Sequence, residues 1–136
     1  MISNPEHGWC DFELRKFKGS PSYLTDVPVD LLDVFISYYT NGIGMAWFDE
    51  EGTEFTLVIN PYSLYIIEEK EKSILYDFSE MNIEKLAKEL IEDIEKDLTG
   101  WSTEFIITDD QEEITQHRNE IRQRIAKLKK LIGNRI

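Results

Sequence analysis

A chain of 136 residues with 41% hydrophobic and 12% aromatic side chains is long enough to bury one sizeable core, so disorder is not its default state. Its formal net charge of −12 opposes nucleic-acid binding, which depends on Lys and Arg neutralising phosphates. A single cysteine, Cys10, excludes an internal disulfide and argues against a cysteine-based zinc site.

One thiol without bridges suits a reducing cytosol, and a small, partly buried thiol beside Trp9 is the expected state of Cys10. No stretch approaches the roughly 18 uninterrupted apolar residues of a membrane span. The opening Met1 to Glu6 has neither the basic start nor the apolar segment of a secretory signal, so a cytoplasmic location is expected. The charge is unevenly spread. Residues 1–110 hold 8 basic and 24 acidic side chains, whereas 111–136 hold 7 and 3. The expectation is an acidic α+β domain over 1–110, with a basic amphipathic helix over 111–136 docked on it.

In chain order, Trp9 to Phe17 alternates in part and predicts a strand with Phe12 and Leu14 inward. His7 falls in a frayed terminus, and Lys18 to Ser22 reads as a loop. Asp26 with Pro28 marks a helix entry, and Leu31, Leu32, Phe35, Ile36 and Tyr39 follow helical spacing until Asn41-Gly42. Ile43 to Phe48 predicts a strand leading into the turn Asp49-Glu50-Glu51-Gly52.

Phe55 to Ile59, Leu64 to Ile67 and Ser73 to Phe78 are rich in β-branched and aromatic residues, separated by Asn60-Pro61-Tyr62-Ser63 and by Glu68-Glu69-Lys70-Glu71-Lys72. Connections this short cannot carry parallel crossovers, so an antiparallel meander follows. Ser79 or Asn82 opens a second helix with Ile83, Leu86, Ala87, Leu90, Ile91, Ile94 and Leu98 toward the sheet, and Gly100 ends it. Trp101 to Thr108 predicts a last strand. After Asp109-Asp110, Ile114, Ile121 and Leu128 recur at seven residues, with Ile125 and Ile132 in the alternate row and Arg118 interrupting it. Such a stripe serves docking on the same domain or self-association through residues 112–132; docking is the expectation. The fold class is therefore α+β: an antiparallel meander sheet of about 4–6 strands packed with two helices and a C-terminal helix.

No chemistry-bearing motif stands out. His7 and His117 lack a spacing partner for zinc, no glycine-rich phosphate loop or nucleophile elbow is present, and His117 is expected to face solvent or to pack weakly against the domain. Asp49, Glu50, Glu51 and Glu54 do not follow the ordered offsets of a calcium loop. No cofactor or metal is expected. The acidic residues have another use: a negative rim beside Trp47, Tyr62 or Tyr65, extended by Glu68, Glu69 and Glu71, would suit capture of a basic protein. Trp47, Asp49, Glu50, Glu51, Glu54, Tyr62, Glu68, Glu69 and Glu71 are the candidate partner-binding residues.

Across roughly residues 23–98, YLTDVPVDLLDVFISYY, FTLVINPYSLYIIEE and ILYDFSEMNIEKLAKELIEDIE together resemble small bacterial immunity proteins of contact-dependent and polymorphic toxin systems. The resemblance is one of general pattern and transfers no binding residue. It implies a non-catalytic protein that binds and blocks a cognate toxin, such as a nuclease, inside the producing cell. The alternative is a structural or regulatory protein that self-assembles through its last helix.

Overall fold

A computed structural model of the chain describes residues 1–133; the final positions of the basic segment, 134–136, lie outside the described residues. The elements in order are β1 (Ile2–Glu6), β2 (Trp9–Leu14), β3 (Phe17–Gly19), α1 (Val27–Asn41), β4 (Gly44–Asp49), β5 (Glu54–Ile59), β6 (Leu64–Glu69), β7 (Ser73–Asp77), α2 (Ile83–Glu95), α3 (Leu98–Glu104) and α4 (Gln111–Gly133). The fold is α+β, with a three-stranded sheet β1-β2-β3 and a four-stranded meander β4-β5-β6-β7, both antiparallel.

The N-terminal sheet goes beyond what the sequence announced, since only its middle strand was expected. Phe12 and Leu14 do point inward. His7 is not frayed: with φ of 54° and 77°, His7 and Gly8 form the two-residue turn between Glu6 and Trp9. Two consecutive positive φ values match the twist of a tight hairpin. Phe17, out of phase with β2, starts β3 after a similar turn at Arg15 (φ 52°).

Two further expectations needed correction. Asp26 does precede α1, but its side chain makes no capping bond; Gly42 closes the helix in the left-handed conformation and donates its N–H to Tyr38 O. The second helix ends at Glu95, and Leu98–Glu104 form a helix of their own where Leu98 was expected in the second helix and Trp101 was expected to start a strand. The Asp97 carboxylate accepts from Gly100 N (3.0 Å), so Gly100 belongs to a capped first turn instead of a stop. Trp101 and Phe105, four apart, are both buried with ring centroids at 5.5 Å, and helical spacing overrides their β propensity. Asn82, rather than Ser79, caps α2 by accepting from Lys85 N at 3.0 Å.

The core lies on the inner face of the meander. Phe48, Phe55, Leu57, Ile59, Leu64 and Ile66 point there and meet α1 and the N-terminal sheet. Phe12 and Phe17 each sit 5.0 Å from Phe55, and Phe17 sits 5.1 Å from Tyr76, so an aromatic cluster joins the two sheets. At one crossing the backbones approach closely: a Cβ on Gly44 would lie 2.0 Å from Val34 O of α1.

On the other side, α4 lies against α1, α3 and α2. Its buried side chains are Ile114, His117, Ile121, Ile125, Leu128 and Ile132. The apolar seam is thus occupied within the chain, and His117 fills the row that Arg118 seemed to interrupt. Arg124 Nε donates to Asp33 at 2.9 Å and Lys129 Nζ to Glu95 at 3.1 Å, joining the basic helix to the acidic body. Ties of long sequence separation close the structure: Ile2 N donates to Asp93 Oδ2 (3.2 Å) and Gly8 N to Glu104 Oε1 (3.1 Å).

Candidate functional site

The register of the meander decides which candidate residues share a surface. Directly paired residues point to the same face, and successive residues along a strand to opposite faces. The outer face therefore carries three rows: Met45, Val58, Tyr65 and Asp77; then Trp47, Thr56, Ile67 and Leu75; then Asp49, Glu54, Glu69 and Ser73. Met45 is 69% exposed, Trp47 47% and Leu75 61%. An apolar field thus lies open, with an acidic row along one end.

That row is electrostatically costly in the free protein. Glu54 is directly opposite both Asp49 and Glu69, and like charges at paired positions oppose sheet formation. Two of the three acids also bond locally: Asp49 Oδ1 accepts from Glu51 N (2.6 Å), and Glu69 Oε2 from the Ser73 hydroxyl (2.6 Å).

The other candidates divide. Glu51 and Glu71 are exposed in the β4–β5 and β6–β7 turns, at the end where the acidic row lies, and extend it. Glu50 is half-buried and tied down, accepting from Ser20 N (2.8 Å) and the Thr53 hydroxyl (3.0 Å). Glu68 does not belong to the rim. Its place in β6 points it to the inner face, where it is buried, accepts from Tyr76 Oη (3.2 Å) and pairs with Lys70 (3.5 Å). Tyr62 is 92% exposed but sits in the β5–β6 turn at the opposite end of the sheet. Met45, Ile67 and Leu75 are the surface residues that sequence reasoning passed over; strand parity carried the signal.

A second constellation joins α1, α3 and α4. His117 is only 4% exposed, neither facing solvent nor packed weakly as expected of it. Its Nδ1 lies 2.8 Å from Ser102 O and its Nε2 2.8 Å from Asp26 Oδ2. Ser102 O only accepts, so Nδ1 donates; Nε2 facing a carboxylate then needs a proton as well, which favours the imidazolium. The bond to Asp26, reinforced by Ser102 O and the charges of Asp26 and Glu120, raises the His117 pKa against its burial.

Asp26, His117 and Ser102 have the composition of a catalytic triad but not its geometry. The imidazole meets the serine carbonyl, while the Ser102 hydroxyl, fully buried, donates to Leu98 O at 2.5 Å. The trio is a tie between helices. Cys10 is also buried, and that burial, with Asp11 beside it, pushes its thiol far up and leaves it unreactive. Among the described residues no group of His, Cys, Asp and Glu is arranged to hold a metal ion.

The tie makes stability depend on pH. The folded state holds the His117 proton more tightly than the unfolded chain, so its contribution is full below the ordinary value of 6.5 and is lost as pH rises through the raised folded pKa. Asp30, raised to about 6 by burial and by Asp26 and Asp33 against Arg124, acts in the same direction: its contribution is full below 3.8 and lost by about 6. The melting temperature of the protein is expected to fall as pH rises above 6.5, and this slope to flatten in His117→Gln. Equal slopes in thermal melts of the two proteins would refute the assignment.

Compared with known protein families, curated proteins and solved structures, the chain matches none. Among the described residues no helix is long and apolar enough to cross a membrane.

Proposed function

We propose that this chain is a non-catalytic binding protein of the immunity type, which neutralises a cognate toxin in the cytoplasm of the producing cell. The toxin's basic surface docks on the outer face of the meander. One observation carries this reading: an exposed apolar field of Met45, Trp47 and Leu75 is bordered by the acidic row Asp49, Glu54 and Glu69. Large exposed aromatic and Met side chains supply desolvation energy at an interface, and the acidic border speeds encounter with a basic partner. A basic partner also relieves the like-charge repulsion along the row, so free energy stored in the unbound sheet adds to association. The similarity of pattern to immunity proteins points the same way. Self-assembly through residues 112–132 has less support, because the apolar seam of α4 is already buried within the chain.

The test is capture from the source cells at low and moderate salt, comparing the wild type with Glu54→Lys/Glu69→Lys. The wild type is expected to retain one basic protein at equimolar ratio and to inhibit its activity. The variant loses both properties, while its melting temperature is unchanged or raised by removal of the paired acids. Equal capture and inhibition by both proteins, or a variant that unfolds, would overturn the assignment of the acidic row.

A further inference from the structure

The outer face of the meander offers a partner side chains and no backbone groups. The hydrogen bonds of a sheet lie in its plane, and the strands here exchange them across β4-β5-β6-β7. A segment that covers the apolar field is itself taken out of water, so its own N–H and C=O groups must be satisfied from within. An extended segment laid on a sheet face cannot do this. A helix does, because each N–H bonds to the carbonyl four residues back. A second sheet also satisfies itself, but two sheets packed face to face need inner faces that are apolar along most of their length. Here the third row is acidic and Asp77 ends the first.

The dimensions suit a helix. From β4 to β7 there are three strand spacings, about 14 Å in all, and a helix with its side chains is about 10–12 Å across. Met45 and Trp47 of β4 stand on one side of that width and Leu75 of β7 on the other, all exposed. Val58, Thr56, Tyr65 and Ile67 between them are more covered. Successive rows are two residues apart along a strand, about 6.8 Å, and four residues advance a helix by about 6 Å. A helix aligned with the strands therefore sets residues i and i+4 on the two apolar rows and residue i+8 on the row of Asp49, Glu54 and Glu69. Of the lysines in the adjoining turn, Lys70 is paired with Glu68 at 3.5 Å and Lys72 is matched in number by Glu71, so the row keeps its negative charge. Such a row calls for Lys or Arg on the element that meets it.

We infer that the partner's docking element is an amphipathic helix, apolar at i, i+3, i+4 and i+7 and basic at one end. It lies along the strands with the basic end over the acidic row. This rests on the reading of the outer face as the toxin-binding surface and adds the chemistry of what that surface takes.

Two synthetic peptides of about 14 residues, the helical equivalent of a six-residue strand, test it. One carries leucines at i, i+3, i+4 and i+7 with lysines after them, and a side-chain cross-link holds it helical. The other differs by two central prolines, which forbid the helix. Nuclear magnetic resonance of the methionine methyl groups localises binding, because Met45 lies in the field whereas Met1 and Met81 pack against the core. The helical peptide is expected to shift the Met45 methyl, with Met1 and Met81 unmoved, and to bind at least about tenfold tighter than the proline peptide. Glu54→Lys/Glu69→Lys is expected to weaken the helical peptide by about tenfold or more. Equal affinities of the two peptides, no binding of the helical one, or binding without movement of Met45 would overturn the inference. The toxin reading fails separately. A toxin captured by the wild type and lost from Glu54→Lys/Glu69→Lys, with Met45 silent toward the helical peptide, overturns the helix alone. A helical peptide seated on Met45, with no basic protein captured and inhibited, supports the helix and overturns the toxin.

Discussion

Ile121→Asp is expected to destabilise the protein by at least about 4 kcal/mol. Ile121 is fully buried on the face of α4 that meets α1, in a row with His117, Ile125 and Leu128. Truncating such a side chain costs about 2–5 kcal/mol, and a carboxylate in its place adds the penalty of an unpaired charge. Asp30 and Asp33 of α1, with Asp26 just before it, already lie on that side, and the nearby cations are engaged: Arg124 with Asp33 and His117 with Asp26. A loss of at least about 4 kcal/mol takes away much of the 5–15 kcal/mol that holds a typical domain together. Leu128→Asp should behave alike, whereas Arg122→Asp, on the exposed side of the same helix, should cost little. Urea unfolding followed by circular dichroism measures all three. A wild-type midpoint for Ile121→Asp would mean that α4 is not docked as described.

Gly44→Ala is the second large effect, and it comes from a single methyl group. The added Cβ would fall 2.0 Å from Val34 O and 2.8 Å from Val34 C, both backbone atoms of α1. A side chain could rotate away, but a helix backbone held by Phe35, Leu32 and Leu31 in the core cannot yield without moving the helix off the sheet. The expected cost is about 3 kcal/mol or more, at the upper end for overpacking. Gly133→Ala is the control, because nothing lies within 4 Å of its added Cβ. Equal melting temperatures for the two variants would show that α1 and β4 do not approach as closely as described.

Much of this architecture could be read along the chain because the determining contacts are local. The period of α2, the Asn41-Gly42 stop and the short turns of the meander are all decided within a few residues of where they act. The N-terminal sheet was harder: β1 contains Asn4 and Pro5, and β3 has three residues, so neither has the apolar alternation of a recognisable strand. The pair His7-Gly8 was the available signal. Residues Trp101 to Thr108 misled in the opposite sense, since their β-forming composition outweighed the four-residue spacing of Trp101 and Phe105.

For the candidate surface, the composition of the rim was legible, but its geometry required strand parity. Leu64, Ile66 and Glu68 alternate together, so Glu68 had to face inward with them; Trp47 pairs with Thr56 and reaches Leu75 only through the register of four strands. Meander turns alternate between ends, which separates Tyr62 from Glu51 and Glu71. His117 lies on the Ile114–Ile121 face, so its burial was written in the helix period. Its partner Asp26 was not, because 91 residues separate them.

That separation bears on how quickly the native state is reached. The meander and the His7-Gly8 hairpin join neighbours in sequence and can form in isolation on a short timescale. Three ties must wait for distant chain: Ile2 to Asp93, Gly8 to Glu104 and Asp26 to His117 span 91, 96 and 91 residues. Loop closure on that scale is the entropic cost that slows folding as mean contact separation grows. During synthesis the hairpin and α1 emerge long before α3 and α4 exist to receive them. Until then the face of α1 that will bury Ile121 and Leu128 stays wet, and the aromatic cluster between the two sheets has only part of its cover. The α1 face is therefore covered only after the last helix has emerged.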